Sequence, residues 1–185
     1  MKATEDLVKE HNGIKLMLDI LDSISKKMKA GSSVDPEHLF RIVDFLRTFV
    51  DKCHHAKEEK VLFPAMKEAR IQQSIGSISL ILKEHKTGRK YVDGLSKTVD
   101  KYAFGNKRLS GGIAQLAQYY ISLLRTHIEK EDNVVYPMAD ELLPEEKQKW
   151  MLGEFEKIET EIIGAGKHKE YHGLLEKLKG VYVKP

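Results

Sequence analysis

Two stretches of this chain place a histidine four residues before a glutamate, with a proline six residues after that glutamate: His54 and Glu58 ahead of Pro64, and His127 and Glu131 ahead of Pro137. On a helix, positions i and i+4 stand one above the other, so each pair aims an imidazole and a carboxylate at a common object. Either pair alone is a weak signal, because such spacings arise by chance and usually face solvent. Each, however, follows a segment with one histidine on its apolar stripe, His11 before the first and His85 before the second. The candidate ligands are therefore His11, His54, Glu58, His85, His127 and Glu131. A lone histidine on an apolar face is more often a hydrogen-bonded core residue than a metal ligand. Glu58 and Glu131 also continue apolar stripes, however, and a buried carboxylate needs a positive partner. Lys15 and Arg89 are among the few cations nearby. Four nitrogens and two carboxylates without thiolates suit iron, manganese or zinc, and disfavour a structural zinc or an iron–sulfur cluster. Two carboxylates able to bridge, with four histidines to divide, fit two ions better than one. Positions would remain for a bridging oxygen, water or a diatomic ligand.

The first motif admits two frames, because His55 and Glu59 are also four apart. His54 shares a face with Leu46, Val50, Val61 and Leu62, whereas His55 follows Thr48, Asp51 and Lys52. Pro64 lies ten residues after His54, as Pro137 lies ten after His127. The expectation is that His54 ligates and His55 is peripheral. Glu10, Glu59, Glu84 and Asp132 adjoin the candidates and read either as surface charge or as groups that orient the histidines. His38 reads as a surface residue and Cys53 as packing. The tail pair His168 and His172 is expected in solvent.

Helices must carry these residues. Leu7, Val8, Ile14, Leu18, Leu21 and Ile24 recur in steps of three and four over residues 5–28. Gly31 closes that helix, and Asp35-Pro36 opens a second through Leu39, Ile42, Leu46 and Phe49 to a break or kink near Pro64. A third helix spans about 75–103, with Gly88 and Gly94 lowering its propensity, and a fourth about 113–136. A fifth segment covers about 144–163, docked by Trp150, and 168–178 forms a tail helix. No stretch alternates like a strand. His11 and His54 lie 43 residues apart and His85 and His127 lie 42 apart, while Leu7–His11 (LVKEH) resembles Ile81–His85 (ILKEH). The expected fold is an all-α, antiparallel up-down four-helix bundle with an internal two-fold repeat. Residues 1–142 would form the bundle and 143–185 a helical extension packed on or beside it.

At 185 residues the chain suits one domain, and 41% hydrophobic with 32% charged residues suits a globular one. A net charge of +3 with interspersed signs gives no footprint for nucleic acid. No apolar run approaches the roughly 20 residues that span a bilayer. With one cysteine and no signal-like start, a cytoplasmic location is expected.

The motifs Glu10-His11, HHAKEEKVLFP from His54, Glu84-His85 and HIEKEDNVVYP from His127 resemble, in order and spacing, the hemerythrin-like or HHE cation-binding family. The resemblance covers about Leu7 to Leu142. It implies a four-helix bundle around two non-haem iron ions, oxo- or hydroxo-bridged, with Glu58 and Glu131 bridging and the four histidines terminal. Arg89 stands where oxygen carriers of the family have a further histidine, and Glu131 stands four residues after its histidine where theirs is an aspartate at five. The four-histidine set is similar to that of bacterial proteins associated with nitric oxide response and repair of iron centres, whose N-terminal cysteine-containing domain has no counterpart here. The resemblance implies a protein that binds or senses dioxygen or nitric oxide. The alternatives are a di-iron enzyme reducing peroxide or nitric oxide, iron storage or repair of iron centres, and a module that holds metal only for structure. Because ligation needs deprotonated histidine, metal should be lost below about pH 6.

Overall fold

The computed structural model describes residues 2–71, 74–164 and 166–183, and the regular structure among them is entirely helical. Helix α1 (Ala3–Lys29) buries Leu7, Ile14, Leu18, Leu21 and Ile24. It ends at Gly31, whose φ of 82° only glycine adopts cheaply, and the Ser32 N–H bonds back to the Lys27 carbonyl at 3.0 Å. Helix α2 (36–68) opens where the Asp35 carboxylate accepts from the Glu37 N–H and Pro36 sets the first helical φ. Helix α3 (Ser74–Ala103) ends as α1 does: Gly105 has φ 103°, and the Asn106 N–H bonds to the Lys101 carbonyl at 3.2 Å. Helix α4 (110–142) follows a 3₁₀ turn at Lys107–Leu109. The two halves thus share their connection chemistry as well as their motifs, and the fold is the all-α four-helix bundle with a C-terminal helical extension.

Neither proline breaks its helix. In α2, α-helix at Pro36–Phe45 passes into π-helical turns at Leu46–His55 and Glu58–Leu62 and returns to α-helix at Phe63–Glu68. In α4, α-helix at Ser110–Lys130 passes through a π-helical turn at Glu131–Val135 to Tyr136–Leu142. Pro64 and Pro137 fall in the first turn of the closing segments, where a missing N–H costs least. Gly88 and Gly94 do not disturb α3. Each faces α4, and a Cβ at Gly88 would lie 3.6 Å from Tyr120 and one at Gly94 3.5 Å from Leu116.

Helix α5 (145–164) runs from Glu145–Lys157 into a π-helical Ile158–Gly164, and α6 (Lys167–Tyr182) follows Gly166, which has φ 86°. Ala165, within the expected break between them, lies outside the described residues. Met151, Phe155 and Ile158 seat α5. Trp150 does not dock it, as expected from sequence, but is 46% exposed with the Lys147 ammonium over its ring. Tyr171, Leu174, Leu175 and Leu178 seat α6, and the Tyr171 hydroxyl donates to Asp44 at 3.0 Å. His38 is not free on the surface, since its Nδ1 lies 2.7 Å from the Tyr182 hydroxyl.

The core divides into two apolar clusters. One contains Ile14, Val50, Val92 and Leu124, the other Leu7, Val61, Ile81 and Val135. Every helix of the bundle crosses from one to the other at a polar layer, through His11, His54–Glu58, His85 and His127–Glu131 respectively.

Candidate metal centre

All six residues picked out by spacing converge in that layer, and each is at most 1% exposed. The imidazoles meet in pairs across helices. His11 Nε2 is 2.9 Å from His54 Nε2, and His85 Nε2 is 3.2 Å from His127 Nε2. Glu131 reaches both pairs, with Oε2 at 3.3 Å from His11 Nε2 and Oε1 at 3.1 Å from His127 Nε2. Glu58 does the same, its Oε2 lying 3.4 Å from His85 Nε2 and 3.9 Å from His54 Nε2. Each carboxylate therefore lies between the two imidazole pairs.

The outer nitrogens are held by the four acidic neighbours. Nδ1 of His11 meets Asp132 at 2.7 Å, of His54 Glu10 at 2.9 Å, of His85 Glu59 at 2.7 Å and of His127 Glu84 at 3.0 Å. Each acid comes from another helix, and the pairing repeats between the halves: α1 with α4, α2 with α1, α3 with α2, α4 with α3. Each acid also has a cation behind it: Lys15 at Asp132, Lys57 at Glu10, Arg89 at Glu59 and Lys130 at Glu84. A carboxylate that accepts from Nδ1 fixes the proton there, so Nε2 of a neutral ring presents its lone pair inward.

Two facing lone pairs at 2.9 or 3.2 Å repel unless a cation or proton lies among them. Three carboxylate oxygens that face them, Glu58 Oε2 and both oxygens of Glu131, are buried without a hydrogen-bond donor. The site's own field reports the same demand for positive charge. Burial pushes the His11 imidazole down, but the hydrogen bond to Asp132 and the nearby Glu131 and Glu58 charges outweigh it and lift it to about 9. Burial is likewise outweighed at His127, which the Glu131 and Glu58 charges and the hydrogen bond to Glu84 raise to about 10. Glu131, despite burial, is held well below the usual carboxylate range by His127 and His11. Cations that displace these protons would satisfy the donor set as it stands. One donor group comprises His11, His54 and Glu131, and a second comprises His55, Glu58, His85 and His127.

Three residues here were not expected. His55 is not peripheral: it is 4% exposed and stacks on the His85 ring with centroids 3.8 Å apart. The π-helical turn through Leu46–His55 holds more residues per turn than the 3.6-residue projection assumes, so consecutive histidines both face inward. The Tyr136 hydroxyl donates to Glu58 Oε1 at 2.6 Å and lies 3.4 Å from His11 Nε2. Nothing in its setting between Val135 and Pro137 marks it as more than core. Lys57 is fully buried, with Nζ 2.9 Å from Asp6, 2.7 Å from Glu10 and 2.5 Å from Glu159 on α5. It did have a signal, because it lies on the inward stripe at three residues from His54. Of the peripheral residues, His168 is only part-exposed, with Nε2 3.4 Å from Cys53 Sγ, whereas burial, with the Glu10 charge, pushes the Cys53 thiol up and leaves it protonated.

Similarity to known proteins decides the family. The model of the hemerythrin HHE cation-binding domain matches residues 2–139. The chain belongs to that hemerythrin HHE family. An uncharacterized protein of Mycobacterium tuberculosis H37Rv is 26% identical over 141 residues, covering 76% of this chain and 54% of that protein. An iron-sulfur cluster repair protein, YtfE, of Enterobacter sp. 638 is 32% identical over 92 residues, covering 46% of this chain and 40% of that protein. The YtfE protein of Edwardsiella ictaluri is 27% identical over 120 residues, covering 62% and 52%. The chain spans about half the length, or less, of these curated relatives. No solved structure gives a significant match. Among the described residues, no helix is long and apolar enough to cross a membrane.

Proposed function

We propose that the centre holds two non-haem iron ions and serves to bind or sense dioxygen or nitric oxide. His11 and His54 would hold one ion, His85 and His127 the other, with Glu58 and Glu131 shared. The observation that carries this reading is the pair of facing imidazoles at 2.9 and 3.2 Å, with three unpartnered carboxylate oxygens between them. Iron held by histidine and carboxylate with positions left open supplies affinity for small diatomic ligands and redox chemistry toward them.

The chain's own residues prepare the site for that use. The four acids fix the histidine tautomers, and their cations keep those acids ionised and in place. Apolar clusters above and below the layer exclude bulk water. Tyr136 holds a proton at Glu58 Oε1, within the layer, and burial together with the Glu58 and Glu131 charges pushes its hydroxyl well above the usual tyrosine range. It can therefore donate a hydrogen bond there without ionising. A cavity of about 410 Å³, bordered by Asp51, His55, Arg89 and Tyr120, lies beside this layer against His55 and is large enough for a diatomic ligand, although none of the six ligands lines it.

Anaerobic loading with ferrous iron followed by exposure to dioxygen or nitric oxide tests the reading. A loaded protein whose visible absorption responds to either gas supports it, and a fully loaded protein with no response refutes it. A second reading, turnover at the same centre in repair of iron centres, draws on the similarity to the iron-sulfur cluster repair proteins of Enterobacter and Edwardsiella. Repeated turnovers that disappear in Glu58→Ala would favour it over a stoichiometric reaction.

A further inference from the structure

The geometry points to His55 as a fifth histidine ligand, completing the ion site of His85 and His127. The inference rests on the two-ion reading above. Four observations carry it. His55 is 4% exposed, although it lies next to His54 on the chain and an α-helical projection turns it away. Its Nε2 is buried without a hydrogen-bond partner. One donor atom each of His55, Glu58, His85 and His127 fall within 4.8 Å of one another. Its outer nitrogen also faces a carboxylate with a cation behind it, here from its own helix: Nδ1 lies 3.4 Å from Asp51 Oδ1, and the Arg89 Nε–H donates to that same oxygen at 2.8 Å.

A buried imidazole with one nitrogen unpartnered is costly unless something occupies that nitrogen. A neutral ring with Nδ1–H directed at Asp51 presents a lone pair at Nε2, which is what a metal requires. Stacking on His85 at 3.8 Å with planes 19° apart lets both rings direct nitrogens toward the same neighbourhood. The two ion sites would then differ, with two histidines at one and three at the other. Arg89 serves both His85 and His55, through Glu59 and Asp51.

The test is a crystal structure of the full chain loaded anaerobically with ferrous iron, joined to metal retention by variants. The expected result is His55 Nε2 at about 2.1 Å from the ion shared with His85 and His127, a normal metal–imidazole distance. In His55→Gln, which keeps bulk at the position, one of the two ions should be lost to a competing chelator at least about tenfold more readily. In His55→Ala, added imidazole should restore retention of that ion. A loaded structure with His55 Nε2 beyond hydrogen-bond distance of both ions overturns the assignment. So does an Nε2 that hydrogen-bonds only to an exogenous ligand, with both ions retained normally in both variants. A wild-type chain that takes up no iron, zinc or manganese overturns the two-ion reading itself, which is a distinct result.

Discussion

The two sides of the metal layer are built from one repeated motif and yet are closed in different ways. On the His11–His54 side one backing cation, Lys57, is fully buried among Asp6, Glu10 and Glu159 and covered by the extension helix α5, while the other, Lys15 at Asp132, is 47% exposed. On the His85–His127 side the backing cations are Arg89 and Lys130, both about one-third exposed, and the 410 Å³ cavity lies against Arg89 and His55. A repeated scaffold thus yields one fully buried backing cation, behind His54, and three that reach solvent. The asymmetry comes from features the two halves do not share, namely the added helix α5 over Lys57 and the longer π-helical stretch Leu46–His55 that turns His55 inward.

The largest expected effect would remove the symmetry that remains. Glu131 reaches both imidazole pairs, so Glu131→Ala should abolish retention of both ions rather than one, a loss beyond the roughly 10–100-fold typical of an outer partner. Metal content after gel filtration measures it, and retention of one full equivalent would mean the sides bind independently. Next in size is the contrast between the backing cations Lys57 and Arg89. Lys57→Ala leaves Asp6, Glu10 and Glu159 facing one another without their shared cation and should cost about 3–5 kcal/mol in denaturant unfolding. Arg89→Ala breaks an ion pair that is 36% exposed and should cost about 1 kcal/mol or less. Equal costs would refute the contrast between the buried and the part-exposed cation.

Acid sharpens the comparison by setting protons against metal. His11 and His127, one on each side, are raised to about 9 and about 10 in the metal-free chain, so both carry protons at neutral pH that a metal must displace. Affinity should therefore rise with pH up to about 9–10, roughly tenfold per unit for each proton displaced, and fall as pH drops. The loss expected from sequence below about pH 6 would accordingly begin well above it. Affinity that stays flat between pH 7 and 9 would show that the bound state does not displace these protons. The smallest effect belongs to the extension. Glu159 is 30% exposed, so Glu159→Gln should lower stability by about 1 kcal/mol or less and weaken retention on the His11–His54 side only.

The repeated pairs His54–Glu58 and His127–Glu131 were legible in the sequence because they sit at helical spacing with prolines at one offset. The single histidines His11 and His85 were legible because each occupies an apolar stripe. The four acids were visible as neighbours of the candidate ligands, but their pairings were not. Glu10 adjoins His11 and serves His54, while Asp132 adjoins Glu131 and serves His11. Such pairings arise only when helices are placed side by side. His55 was misplaced because a 3.6-residue projection has no room for a π-helical turn, and a break or kink expected near Pro64 and a helix end expected at about 136 are absent for the same reason. Lys57 was on the inward stripe and could have been found by asking which cation neutralises its acids.

The central claim is that this layer holds two ions shared by Glu58 and Glu131. Metal analysis of the chain loaded anaerobically with ferrous iron and freed of excess tests it most directly. About two irons per chain, both lost in Glu131→Ala, is the predicted result; a chain that retains none, or whose retention is indifferent to Glu131, would contradict it.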